Sequence, residues 1–206
     1  MKSPTRLYLI RHGEVEAKYQ KVFGGRIDMD LSPFGREQAE AMADYLQRVP
    51  FDAIYASPMR RVQQTLAKLA ETQNKKPVII DGLREVDFGS WTGLGWDQVS
   101  QQFNVSAFRW LDQLSQGLIH EAENIDSFRS RVEQSLGTIM ANAGGQTVAV
   151  VCHGGVIRML LSLLLDLPLP KMARFDIEYA SITVVSHLPD KTETQLLNFT
   201  PWRDQN

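Results

Sequence analysis

Apolar positions along the chain follow two alternating periods. Leu7-Tyr8-Leu9-Ile10 is a short run of strand formers that stops at polar Arg11-His12-Gly13-Glu14. Over 35–49, Ala39, Met42, Ala43 and Leu46 recur at helical spacing, with Ser32-Pro33 as the start signal and Pro50 as the stop. Ala53–Ala56 reads as a second strand, and Ser57-Pro58 opens a helix carrying Val62, Leu66, Leu69 and Ala70. A third strand is predicted over 78–80. After a Gly- and Trp-rich stretch, helical pieces are predicted over Trp96–Phe103 and 107–114, then a longer helix over 123–143 with Phe128, Val132, Leu136 and Ile139 on one face. Thr147–Cys152 is almost wholly apolar, the strongest strand signal in the chain, and Gly154-Gly155 leads from it into an apolar helix over 156–165. Two further strands, 181–186 and 194–197, close the pattern with Pro189-Asp190 in the turn.

Strands alternating with helices imply an α/β sheet with helices on both faces. A continuous apolar strand such as Thr147–Cys152 belongs in its middle, covered on both sides. There is no repeat, low-complexity tract or Ser/Gly linker, and 206 residues fit one domain, 1–206, with residues 89–122 as a small cap inserted over one end of the sheet. At 43% hydrophobic and 22% charged, the chain can bury a substantial core and is not disordered. A net charge of −2 without basic runs weighs against nucleic acid or an anionic membrane as partner. The single cysteine, Cys152, excludes an internal disulfide and a Cys-based zinc cluster. The apolar run over 159–165 is too short to span a bilayer, and the first residues show no leader core, so the expected location is the cytoplasm.

In open α/β sheets, ligands sit beyond the carboxyl ends of the strands. Four predicted strands run there into polar groups of matching chemistry, namely Arg11-His12, Ser57-Pro58-Met59-Arg60-Arg61, Arg84-Glu85 and His153-Gly154-Gly155. Converging arginines suit a phosphate dianion, because the guanidinium fork matches its oxygens. Taken singly, each group has a plainer reading: His120 and His187 as ordinary polar residues, one of Arg60 and Arg61 as a solvated face, Trp91 and Trp96 as cap packing. The coincidence of all the strand-end groups favours a phosphate site.

Five blocks in order carry a family resemblance over almost the whole chain. They are Leu9-Ile10-Arg11-His12-Gly13-Glu14, the entry Asp28-Met29-Asp30-Leu31-Ser32-Pro33-Phe34-Gly35, and Ser57-Pro58-Met59-Arg60-Arg61 with Gln64-Thr65. Glu85-Val86-Asp87-Phe88-Gly89-Ser90-Trp91-Thr92-Gly93 and Cys152-His153-Gly154-Gly155 complete the set. The sequence resembles the histidine phosphatase superfamily, with phosphoglycerate mutases and α-ribazole phosphatases in the same branch. The resemblance implies a three-layer α/β/α sandwich whose mostly parallel sheet has an antiparallel edge strand. It implies His12 as the nucleophile that becomes phosphorylated, Arg11, Arg61 and His153 around the phosphoryl group, and Glu85 as proton donor. Gly154, Gly24 and Lys18 fall at substrate-contacting positions. No metal or cofactor is implied, the expected partner is a small phosphorylated metabolite, and a homodimer is left open. Phosphoryl transfer by this set needs an in-line nucleophile and positive charge on the equatorial oxygens.

Three positions depart from the family pattern: Lys18 stands for a common Asn, Val15 for Ser or Thr, and Gly24 for a polar side chain. The block at Glu85 lacks the mutase-like Glu-Arg-x-Tyr-Gly, and Arg109 is the one basic residue between Gly89 and Ala122, so hydrolysis is favoured over mutase-type transfer. Glu123-Asn124 with Arg131-Val132 looks most like the α-ribazole phosphatases. Two rival readings are a cysteine phosphatase, from the Cys-x5-Arg spacing of Cys152 and Arg158, and a phosphate-binding module without catalysis. The first leaves Arg11, His12 and Glu85 without a role, so Cys152 is read as a buried strand-end residue and Arg158 as a helix residue. The second would be marked by loss of His12, His153 or Glu85, and all three are present.

Overall fold

In the computed structural model, which describes residues 3–204, six strands form one sheet. They are β1 (Thr5–Arg11), β2 (Ala53–Ala56), β3 (Val78–Ile79), β4 (Thr147–Cys152), β5 (Ile182–Leu188) and β6 (Lys191–Phe199), in the order β3-β2-β4-β1-β5-β6. Met1, Lys2, Gln205 and Asn206, which the reading of 1–206 as one domain takes in, lie outside the described residues. β1, β2, β3 and β4 are mutually parallel; β5 runs against β1, and β6 folds back antiparallel to β5. The antiparallel edge is therefore a two-stranded hairpin.

The helices are α1 (Pro33–Leu46), α2 (Arg60–Thr72), α3 (Trp96–Phe103), α4 (Trp110–Ser115), α5 (Ile125–Asn142), α6 (Gly154–Leu164) and the short α7 (Pro201–Asp204). Strand side chains alternate between two cores. Leu7, Leu9, Val148 and Val150 pack with Phe128 and Val132 of α5 and Ile157 and Leu160 of α6. Ile10, Ala149 and Val151 pack with Met42 and Leu46 of α1 and Val62 and Leu66 of α2. Both faces of the central strands are thus covered, which is why they read as continuous apolar runs. Each large side chain among these is worth about 2–5 kcal/mol if cut back to alanine.

Boundaries moved where caps decide them. α5 begins at Ile125 because the Asn124 side chain accepts the Asp126 amide at 2.8 Å. The predicted segment 107–114 splits into a 3-10 turn and α4, and α6 starts at Gly154, two residues earlier than its apolar pattern. Among the described residues no helix is long and apolar enough to cross a membrane.

Strand order positions the site. β4 lies between β1 and β2, with Arg11 opposite Cys152 and Ala56 opposite Val151, so the segments after all three strands leave the sheet side by side. Residues 89–122 form an excursion that departs and returns at one neck. There Ser90 N–H donates to the His120 carbonyl at 2.8 Å and Glu123 N–H to the Asp87 carbonyl at 3.0 Å. Gly89 sits in the neck at φ +51°, where a β-carbon would collide with the backbone of 120–122.

Candidate active site

His12 follows β1 and is held by its own loop. Its Nδ1 lies 2.8 Å from the Gly13 carbonyl oxygen, which can only accept, so Nδ1 carries the ring proton and Nε2 the lone pair. Nε2 accepts the Arg61 Nε–H at 3.1 Å. Burial, followed by the Arg61 and Arg11 charges, holds the His12 pKa well below the ordinary imidazole value, against a smaller opposing effect of the Gly13 carbonyl. The ring is neutral at pH 7, with a defined tautomer.

The motif residues around this loop are its scaffold. Gly13 N–H donates to Thr65 Oγ1, Glu14 N–H to Gln38 Oε1, and Leu31 N–H to Gln64 Oε1. Ser32 caps α1 through the Gly35 amide and donates its own hydroxyl proton to Glu14. A β-carbon on Gly13 would lie 2.5 Å from the Gly35 carbonyl oxygen, and one on Gly35 2.0 Å from that of Glu14. The glycine after His12 thus serves the approach of α1 to the loop, not the approach of a ligand.

Arg61, on the first turn of α2, is buried and aimed inward. Besides His12 it reaches the carbonyls of Ile27 at 2.8 Å and Gly25 at 3.0 Å. Burial lowers its pKa to about 10, with Glu85 acting in the opposite sense, so it stays a cation. Its neighbour Arg60 is the solvated one, paired with Asp28 and Asp30. Arg11 stacks its guanidinium 4.0 Å from the Tyr179 ring centroid and donates to the Ile177 carbonyl.

His153 caps the start of α6, and its ring centroid is 5.2 Å from that of His12. Its Nε2 is 2.9 Å from Ser57 Oγ. A proton donated by Ser57 places the ring proton on Nδ1. Burial is the main cause that lowers the His153 pKa, with Arg61, His12 and Arg11 adding to it. Three buried nitrogens here have no hydrogen-bond partner among the described residues: His153 Nδ1, Arg11 Nε and Arg158 Nε. Buried donors are rarely left so, and cations gathered at the N-terminus of α6 suit an anion.

Glu85 enters from the loop after β3. One carboxylate oxygen accepts the Val86 amide at 3.0 Å and the other the Gly155 amide at 3.1 Å. A β-carbon on Gly155 would sit 2.5 Å from Glu85 Oε1, so this glycine is what lets the carboxylate in. Arg131 of α5 holds the same loop from behind, donating to the carbonyls of Gly82, Arg84 and Glu85. Glu123 completes that clamp with a two-pronged pair to Arg131 at 2.6 and 2.8 Å.

The pocket holds about 460 Å³ and is lined by Arg11, His12, Gly24, Arg61, Glu85 and Gly154. His153 stands behind this lining, fully buried. Lys18 is apart: it points to solvent, 3.4 Å from Glu16. Arg158, read from sequence as a plain helix residue, does line the pocket and donates to the carbonyls of Gly154 and Phe175. Trp91 is core packing, but Trp96 lines the mouth with Phe108 and Trp110. Cys152 is fully buried, and burial pushes its thiol far up, away from the thiolate a cysteine phosphatase needs. Tyr179 carries no signal in the sequence. Arg158, and Glu123 with Arg131, stand out there only through the Cys-x5-Arg spacing and the family likeness, and neither gives the place they take here.

Comparison with known proteins agrees with this geometry. The family model described as the histidine phosphatase superfamily (branch 1) matches residues 7–200. Phosphoserine phosphatase 1 of Hydrogenobacter thermophilus is 31% identical over 95% of this chain and 93% of its own. The adenosylcobalamin/alpha-ribazole phosphatase of Escherichia coli K12 is 30% identical over 84% of this chain and 85% of its own. A solved structure of a protein described as a putative alpha-ribazole-5'-P phosphatase from E. coli superposes with a TM-score of 0.83 at 26% identity, covering 95% of this chain and 97% of its own.

Proposed function

The chain belongs to the histidine phosphatase superfamily, branch 1, as a phosphoric monoester hydrolase, and from that premise we propose that it hydrolyses a small phosphorylated metabolite through a phosphohistidine on His12. The observation that carries this reading is the neutral His12 ring, its Nε2 lone pair facing Arg61, beside buried nitrogens of Arg11 and His153 that have no partner among the described residues. The Nε2 lone pair attacks phosphorus, and the bond from phosphorus to the ester oxygen breaks. Arg11, Arg61 and the His153 Nδ1–H bind the equatorial oxygens. Glu85 gives its proton to the departing alkoxide. Water then attacks the phosphohistidine and returns a proton to Glu85, the P–N bond breaks, and inorganic phosphate leaves. Positive charge comes from side chains and the α6 N-terminus, so the reaction proceeds without a metal. Among substrates, an α-ribazole 5′-phosphate-like ester is favoured by the Glu123–Arg131 segment.

A common covalent intermediate predicts a common product partition. With glycerol added as a second acceptor, several aryl phosphates differing in leaving group give one ratio of glycerol phosphate to free phosphate. A ratio that changes with the leaving group overturns the two-step route.

A further inference from the structure

The phosphoryl end of the pocket is cationic, whereas the side open to the departing alcohol is apolar. Two of the departures from the family pattern make its floor. Val15, where Ser or Thr is usual, is buried and bridged to Leu31. At Gly24, where a polar side chain is usual, a β-carbon would lie 2.2 Å from the Met29 methyl, so the space for a polar contact holds a methionine tip. The wall comes from the excursion: Trp96 and Phe108 meet edge to face at 5.3 Å, and Trp110 meets Phe88 in the same way at 5.3 Å. Phe108 is 74% exposed, so its ring is not needed for the fold's own core.

Two cations near this wall are already paired, Arg26 with Glu123 and Arg109 with Asp112; Arg158 binds backbone carbonyls through both terminal nitrogens and keeps only its Nε–H for the phosphoryl end. Arg174 and Asp176, of opposite sign, line the pocket as well. On the side of this wall a second substrate charge therefore finds little to bind, while a ring finds aromatic surface.

We propose that the alcohol of the substrate carries a flat, apolar ring, seated between the Trp96–Phe108–Trp110 wall and the Val15–Met29 floor. The substrate class is phosphomonoesters of ring-bearing alcohols, not of small charged ones. This rests on the phosphatase reading above and deepens it.

The test compares kcat/KM for 2-phenylethyl phosphate, ethyl phosphate and O-phosphoserine. The first two alcohols have similar basicity, so their ratio reads contact with the ring. The phenyl ester is expected to exceed ethyl phosphate by about thirtyfold or more, the worth of a buried ring, with O-phosphoserine no better than ethyl phosphate. Trp96→Ala with Phe108→Ala shrinks that ratio to a few-fold, and Gly24→Ser narrows it. A ratio near one, or a preference for O-phosphoserine, overturns the ring subsite while leaving the phosphatase reading standing. Binding of 2-phenylethylphosphonate against ethylphosphonate, read by tryptophan fluorescence, separates the two claims. Tighter binding of the phenyl compound without turnover of any ester supports the subsite and removes the phosphatase. Equal binding removes the subsite.

Discussion

Around His12 the reacting side chains that follow β1, β2 and β3 are tied to backbone, Arg61 to Ile27 and Gly25, Glu85 to Val86 and Gly155, His12 to Gly13, while His153 after β4 is held by Ser57. Residues 89–122 are anchored too, at the Gly89 neck, by backbone bonds of 93–96 to 21–23 and by Trp91, Leu111 and Leu114 in the core, but their outer edge turns Trp96 and Phe108 to solvent at the pocket mouth. The sheet ends fix reacting groups to the precision that phosphoryl transfer requires. The excursion supplies surface that can change without disturbing them. In this account chemistry sits on the strand ends and the proposed choice of substrate on the excursion together with the Val15–Met29 floor, so substitutions in these regions differ in kind.

The largest effect expected is at His12. His12→Ala lowers turnover of every ester by more than about 10⁴-fold, measured as steady-state phosphate release. Glu85→Gln comes next and separates leaving groups: alkyl esters slow by about 10²–10⁴-fold, and 4-nitrophenyl phosphate, whose leaving group needs no proton, slows far less. Equal losses on both would remove Glu85 as the proton donor. Arg131 is a positioning residue, acting on Glu85 through the loop it clamps. Arg131→Lys keeps a charge without the fork and slows alkyl esters by about ten- to a hundredfold, again more than aryl esters; a uniform loss would mark a merely structural role.

The smallest effect is on stability against pH. His12 and His153 have pKa values depressed in the folded state, so the unfolded chain binds more protons once pH falls below about 6.5. Stability present above that pH is lost as pH drops toward the folded values. His12→Asn and His153→Asn each flatten the fall of the melting temperature between pH 7 and 5, and an unchanged slope in both would contradict the neutral, buried assignment. Substitutions at Phe108 should leave this slope alone, which sharpens the contrast between the regions.

The same division explains what was legible in the sequence. β1, β4 and the helices that cover them announce themselves because strand and helix periods are local properties. Arg11, His12 and His153 follow because the ends of adjacent parallel strands must be neighbours. Arg61 was legible only through the family resemblance, since an Arg-Arg pair on a helix gives no sign of which member turns inward. Lys18 was placed at the site by position in a motif, but its 3-10 turn directs it to Glu16 and water. Tyr179, Arg158 and Arg131 act through contacts between residues distant in sequence, and no local pattern encodes them. Trp96 was misjudged because a tryptophan packed in a cap and one lining a mouth have the same spacing.

The central claim is a phosphoryl group on one nitrogen of His12. Rapid quenching of the protein with a labelled aryl phosphate, followed by peptide mapping, reads it directly. The account predicts an acid-labile, alkali-stable label on the peptide containing His12, accumulating further in the Glu85→Gln variant, where water attack lacks its base. Label on Cys152, or steady turnover by that variant with no label on His12, would contradict it.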